Sequence, residues 1–208
     1  MLPALALLTA LAAPPCLTRP PETPPKDAIP AATSDRELLA RLVYAESTST
    51  GAPEDPLVHQ GIAWGAMNRV RLAAIAPSAA RSYGSGVRGV IFKSGQFNPA
   101  VSARSPFADE FLCPSDEGRW ALADAAAGAA IAGDGNPFVQ TEWERAHGVS
   151  LVVNFYYPQS IQARGPTAPW ETSTQLRFLG DVETPQGTLS ASKVRFYRLT
   201  APPYDAPR

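Results

Sequence analysis

The sequence predicts an α+β domain, with helices first and a small antiparallel sheet after them. Three observations predict it. Apolar residues recur at helical spacing behind cap signals between Ser34 and Gly133, β-branched and aromatic runs alternate in strand fashion between Val149 and Leu199, and no internal repeat interrupts this order. A length of 208 residues suits one domain with a tail, and 45% hydrophobic against 18% charged residues is enough apolar material for a core. The formal net charge of −1 supplies no global basic field, so nucleic acid is not expected as a partner.

Leu2 to Ala13 is an uncharged run, too short for the roughly 20 residues that span a bilayer but matching the apolar region of a signal peptide. Ala10 and Ala12 give an A-x-A-like cleavage site. The first basic residue is Arg19, behind the run, so either this is a minimal signal or the true start lies upstream. The competing reading, a buried helix N-terminus, meets Pro14 and Pro15 immediately after. Residues 1–13 are thus expected to direct export, to the periplasm or cell envelope. Residues 14–33 are Pro-rich, including Pro20-Pro21 and Pro24-Pro25, and read as an extended tether to the membrane that buries little. Cys16 stands where a lipid-acceptor cysteine would, although Ala13-Pro14-Pro15 departs from the usual small-residue box. Cys16 could also pair with Cys113, the one other cysteine, or lie in the tail and be removed or left free.

The domain is expected over 34–200, with a tail at 201–208. Ser34-Asp35-Arg36-Glu37 is a capping box, and Leu38, Leu39, Leu42 and Val43 behind it form one helical stripe. Glu46 follows Leu42 by four residues and Leu39 by seven, which puts a carboxylate on the core-facing side near the end of the helix. Asp55-Pro56 opens a second helix to about Ala74, Asp55 capping and Pro56 in the first helical position. Gly61 and Gly65 in it imply close packing, because each costs roughly 1 kcal/mol in helix propensity. A loop with Tyr83-Gly84-Ser85-Gly86, a short apolar run Val87–Phe92 and a turn at Lys93–Phe97 come next. Ser115 is read as the cap of a third long helix that stops at Gly133. Strands are expected at Val149–Tyr157, Gln175–Val182 and Ser192–Leu199.

Taken in order, Leu38-Leu39-Ala40-Arg41-Leu42-Val43-Tyr44-Ala45-Glu46, Asn68-Arg69-Val70-Arg71, Gly89-Val90-Ile91-Phe92 with Gly95-Gln96-Phe97, Asn154-Phe155-Tyr156-Tyr157-Pro158 and Arg195-Phe196-Tyr197 resemble the bacterial cell-wall hydrolases that include the spore-cortex-lytic enzymes. The resemblance covers roughly residues 35 to 199. It implies a lysozyme-like fold and cleavage of peptidoglycan between N-acetylmuramic acid and N-acetylglucosamine, by a monomer that needs no cofactor. Two departures fall on the lid and far wall of the cleft. Glu46 is followed by Ser47-Thr48-Ser49-Thr50-Gly51 rather than a small residue, an arginine and a glycine, and Val194 stands where members tend to carry histidine.

Glycosidic cleavage needs a proton delivered to the leaving oxygen, and a carboxyl held among apolar walls keeps its proton near neutral pH. Glu46 has that setting; the bland alternative is a glutamate that caps or pairs at a helix end. Most glycosidases use two carboxylates. Glu54, Asp55, Asp109 and Glu142 are available, but the resemblance points to lytic transglycosylases, in which one glutamate serves as acid and then base. Gln96 is expected to bind a sugar amide or hydroxyl, or else to bond to its own turn, and Phe97 belongs to the same expected substrate-binding set. Asn154 and Tyr156 share a strand face, and alternation lets only one of Tyr156 and Tyr157 reach the cleft.

Other chemistries lack their residues. His59 and His147 stand alone, with no HExxH or CxxC for a metal. A Cys113–His147 peptidase has no supporting signature, and Gly84-Ser85-Gly86 lacks the Lys-Ser/Thr of a phosphate loop. Two alternatives to a cell-wall enzyme of the producing cell stay open: a non-catalytic peptidoglycan-binding envelope protein, and a wall-degrading antibacterial effector or phage lysin.

Overall fold

The computed structural model describes residues 12–207. Most of the signal-peptide-like segment, and the question of the true start, lie outside the described residues. Among the described residues the chain folds as α+β, with eight α-helices preceding a small antiparallel sheet and a hairpin.

Helix α1 (Asp35–Ser49) is the axis of the molecule. The Ser34 hydroxyl accepts from the Glu37 amide at 3.2 Å, but Glu37 does not reach back; its carboxylate takes Arg41 Nε at 2.9 Å instead. A one-sided stripe is not what is found. Leu38 through Ser47 are all buried, Arg41 and Tyr44 included, because helices on several sides enclose α1. Burial of Arg41 is made tolerable by donation to the carbonyls of Leu112 (2.8 Å) and Pro15 (3.1 Å) in addition to Glu37.

Helix α2 (Pro56–Ile75) begins where Asp55 accepts from the Leu57 amide at 2.9 Å. Its two glycines are contact points with the sheet: a Cβ at Gly61 would lie 2.6 Å from Leu189 Cδ2, and one at Gly65 2.6 Å from Phe155 Cε1. The expected loop is present but short, Gly84-Ser85 between α3 (Pro77–Tyr83) and α4 (Gly86–Ile91), and the apolar run after it is helical. Two further short helices follow, α5 (Asn98–Val101) and α6 (Ala108–Leu112). Helix α7 (Glu117–Ala132) packs along α1 and α2 and ends on left-handed Gly133; Asp116, not Ser115, is its cap. Helix α8 (Glu142–His147) was not expected, although Thr141 and Glu144 form a complete capping box.

Strand β1 (Val152–Tyr156) pairs with β5 (Arg195–Leu199), and β5 also pairs with β2 (Leu176–Phe178), in the order β1-β5-β2. The expected strand over Gln175–Val182 is broken in two, since Val182 opens β3 (Val182–Thr184), which forms a separate hairpin with β4 (Gly187–Leu189). A bulge between Val152 and Asn154 resets the face of β1. As a result Val152 and Val153 are both buried, while Asn154 and Tyr156 are half-open.

The Pro-rich segment does bury surface, contrary to its reading as a tether. Leu17 donates its amide to Leu112 O at 3.0 Å, Arg19 donates to the Thr23 carbonyl at 2.8 Å, and Ile29 joins the main core. Cys16 is joined to Cys113 in a disulfide, which closes both the lipid-acceptor and the free-thiol alternatives for that residue. The physical reason is a lone apolar residue every few positions, Ala13, Leu17 and Ile29, each finding a place on the helical layer.

Candidate active site

Glu46, Gln96, Phe97, Asn154, Tyr156 and Tyr157 all line one cleft of about 380 Å³, between the end of α1 and the near end of the sheet. Three stretches of chain bring them together. Helix α1 presents Glu46, the turn between α4 and α5 supplies Gln96 and Phe97, and β1 with the residue after it gives Asn154, Tyr156 and Tyr157.

Glu46 is only 6% exposed. Desolvation pushes its carboxyl up to about 7, against the lowering influence of the Tyr157 hydroxyl and the Arg69 guanidinium. The Tyr157 hydroxyl is itself buried and makes no well-formed hydrogen bond, and burial plus the neighbouring carboxylate hold it well above the ordinary phenol range. Both Tyr156 and Tyr157 line the cleft, where alternation allowed one. The strand ends at Tyr156, so Tyr157 is released from the ladder and turns toward Glu46. Tyr156 is fixed at its tip, donating to Gly165 O at 2.8 Å and accepting from the Arg164 amide at 2.9 Å.

Arg69 is the residue that sequence reasoning passed over as a site member. It projects from α2 into the same cleft, 6% exposed, with its guanidinium over the rings of Phe97 (4.8 Å) and Phe155 (5.1 Å). Nε donates to Val153 O at 2.6 Å and Nη1 to Gln96 Oε1 at 2.6 Å. Desolvation lowers its pKa to about 10, which still leaves it a cation. Gln96 is therefore held from behind by its amide oxygen, beyond its backbone bond to the turn at Lys93. Phe97 is fully enclosed and acts as a wall beneath Arg69 rather than as an open sugar-stacking face. Asn68, next to Arg69, ties α2 to β1 through Val152 O at 2.9 Å.

No second carboxylate joins Glu46 among the described residues lining the cleft. Asp55 caps α2 and pairs with Lys193 at 2.6 Å, Asp109 lies near Arg19 at 3.8 Å, and Glu54 and Glu142 are exposed elsewhere. His59 is buried against Pro53 O at 2.7 Å, and His147 stacks on Trp143. With Cys113 in its disulfide, no thiol is available to His147.

The arrangement can deliver a proton from a buried carboxyl and stabilise the resulting carboxylate through one cation and one phenol. Compared with known proteins, the chain matches no family model, no curated protein and no solved structure.

Proposed function

We propose that the protein cleaves peptidoglycan glycan strands between N-acetylmuramic acid and N-acetylglucosamine, with Glu46 as general acid and then general base. The observation that carries the reading is one buried carboxyl, pushed up to about 7, in an aromatic cleft that holds no second carboxylate among its described residues. Glu46 protonates the leaving glycosidic oxygen as the ring becomes oxocarbenium-like. Arg69 and Tyr157 offset the charge left on it. The carboxylate then takes the proton of the muramic 6-hydroxyl, whose oxygen attacks the anomeric carbon and closes a 1,6-anhydro ring. No outside water has to be activated, which fits a site with a single acid.

A lysozyme-like arrangement is part of the same proposal, since a helix bears the acid at its end and faces a small sheet across the cleft. Export belongs to it too, supported by the Cys16–Cys113 disulfide, because such bonds persist in oxidising compartments.

Mass spectrometry of muropeptides released from purified sacculi, by the full chain and by Glu46→Gln, tests the proposal. Products ending in 1,6-anhydro-muramic acid, lost at least about a hundredfold in the variant, are expected. Reducing ends would mean hydrolysis and a water activator outside these residues. No release by a folded protein that still pellets with sacculi would leave a wall-binding module.

A further inference from the structure

The chain between β1 and β2, residues 157–175, carries no strand or helix, yet it is tied down at three places. Ser160 Oγ meets Ser49 Oγ of α1 at 2.7 Å, one helical turn beyond Glu46. The Tyr156 hydroxyl holds Arg164 and Gly165. Near the far end, the Glu171 carboxylate takes Arg195 at 2.7 Å and the Tyr197 hydroxyl at 2.5 Å. Between the last two pins stands Trp170, flanked by the buried Ala168 and by Glu171, whose amide bonds back to Ala168 O at 3.0 Å.

Trp170 lines the same cleft as Glu46. Its ring is braced edge-on by Tyr156 (6.1 Å, 87°) and Tyr197 (6.4 Å, 69°), and it is 37% exposed. Among the other three tryptophans, Trp64 and Trp120 are buried in the core and Trp143 sits on α8, away from the cleft. Leaving a large aromatic surface open to water forgoes its burial energy, and fixing its neighbours with three sets of polar bonds costs further ordering. A rigid, braced aromatic at a cleft mouth gives an apolar surface of known orientation, suited to the C–H face of a pyranose ring.

We infer that Trp170 and the pinned β1–β2 loop form a second sugar subsite, outward of Glu46 in the same cleft, for a hexosamine ring of the glycan strand. The inference rests on the proposed function for the identity of the strand. The site therefore engages a glycan segment longer than the two sugars that flank the broken bond.

Calorimetric titration with soluble glycan strands, freed of peptide, tests this in the Glu46→Gln background, where turnover does not interfere. Adding Trp170→Ala is expected to weaken binding about tenfold, with a native circular dichroism spectrum at the assay temperature, and Trp170→Phe to stay within about threefold of the parent. Trp143→Phe serves as the remote control and is expected to change nothing. Unchanged affinity in Trp170→Ala overturns the subsite, and so does a parent that does not bind the strands at all, whatever the release assay gives. Loss of binding in Trp170→Ala together with no wall cleavage by the unaltered chain would sink the enzymatic reading and keep the subsite.

Discussion

Burying an ionisable carboxyl separates its titration in the folded chain from that in the unfolded one, and stability must then follow pH. Glu46 titrates near 7 when folded, against an ordinary value of 4.5. A raised acid favours the folded state below pH 4.5, and that advantage is lost as pH rises through 7, in total about 3 kcal/mol at 1.4 kcal/mol per unit. Glu46→Gln removes the charge that has to be buried. It is expected to unfold at higher urea than the parent at pH 8 and at about the same urea at pH 4.5, while abolishing activity. An equal effect at both pH values would mean that Glu46 is not the buried titrating group. Tyr157 supplies a second test at this scale. Its hydroxyl lowers the Glu46 pKa and is otherwise unpartnered, so Tyr157→Phe loses no well-formed hydrogen bond. The alkaline limb of a pH–rate profile is expected to move upward in Tyr157→Phe, since the acid then keeps its proton longer. A limb that stays in place or moves down would show that the phenol does not act on Glu46.

Glu144 does at the level of elements what no single helix or strand does for itself. Fully buried, it accepts from the amides of Thr141 (2.7 Å) and Leu151 (2.8 Å) and pairs with Arg198 of β5, so that one carboxylate fastens the start of α8 to the approach to β1 and to the middle strand. Burial would raise its pKa, but Arg198 and the amides win and hold it at about 2. A depressed acid stabilises above its unfolded value of 4.5, and its contribution, about 3 kcal/mol, is lost as pH falls through 2. Glu144→Gln is expected to cost about 3–5 kcal/mol at pH 7, because it leaves Arg198 without its counter-charge in the interior. A loss below about 1 kcal/mol in chemical denaturation would refute this role. Glu144 also shows what can be read from sequence at this scale. Its capping box, Thr141 to Glu144, was legible and passed over, as were short helices that lack a full amphipathic repeat. The long helices α1, α2 and α7 announced themselves through Ser34, Asp55-Pro56 and Gly133. The buried placement of Glu46 was legible because it follows Leu39 and Leu42 on the same helix face. Arg69 was not, since its neighbours Phe97 and Phe155 are 28 and 86 positions away and only the fold gathers them. The facing of Asn154 depended on a bulge, and that of Tyr157 on where β1 ends, neither of which leaves a mark in alternation alone.

The whole molecule is closed by a contact that composition argued against. A Pro-rich stretch predicts an extended chain, yet residues 12–33 lie on the domain because Ile29 enters the core, Leu17 bonds to Leu112 and Cys16 is bonded to Cys113, 97 positions on. Cross-linking over that separation restricts the unfolded chain, and the chain-entropy estimate for such a loop is about 4–5 kcal/mol. Arg41 couples this closure to the core: it is buried in α1 and spends one nitrogen on Pro15 and another on Leu112, the two segments that the disulfide joins. Releasing the N-terminal segment therefore removes both a covalent constraint and a carbonyl partner of a buried cation. Cys16→Ser is expected to lower unfolding stability by about 3–5 kcal/mol, and reductant should do the same to the parent and nothing to the variant. The cleft residues singled out, from Glu46 to Trp170, belong to parts of the chain that this bond does not line. The variant should thus keep the parent's pH–rate profile at temperatures where it remains folded. A profile that shifts in Cys16→Ser while its circular dichroism stays native would show that the N-terminal segment acts on the site, and stability alone would then not account for its place on the domain.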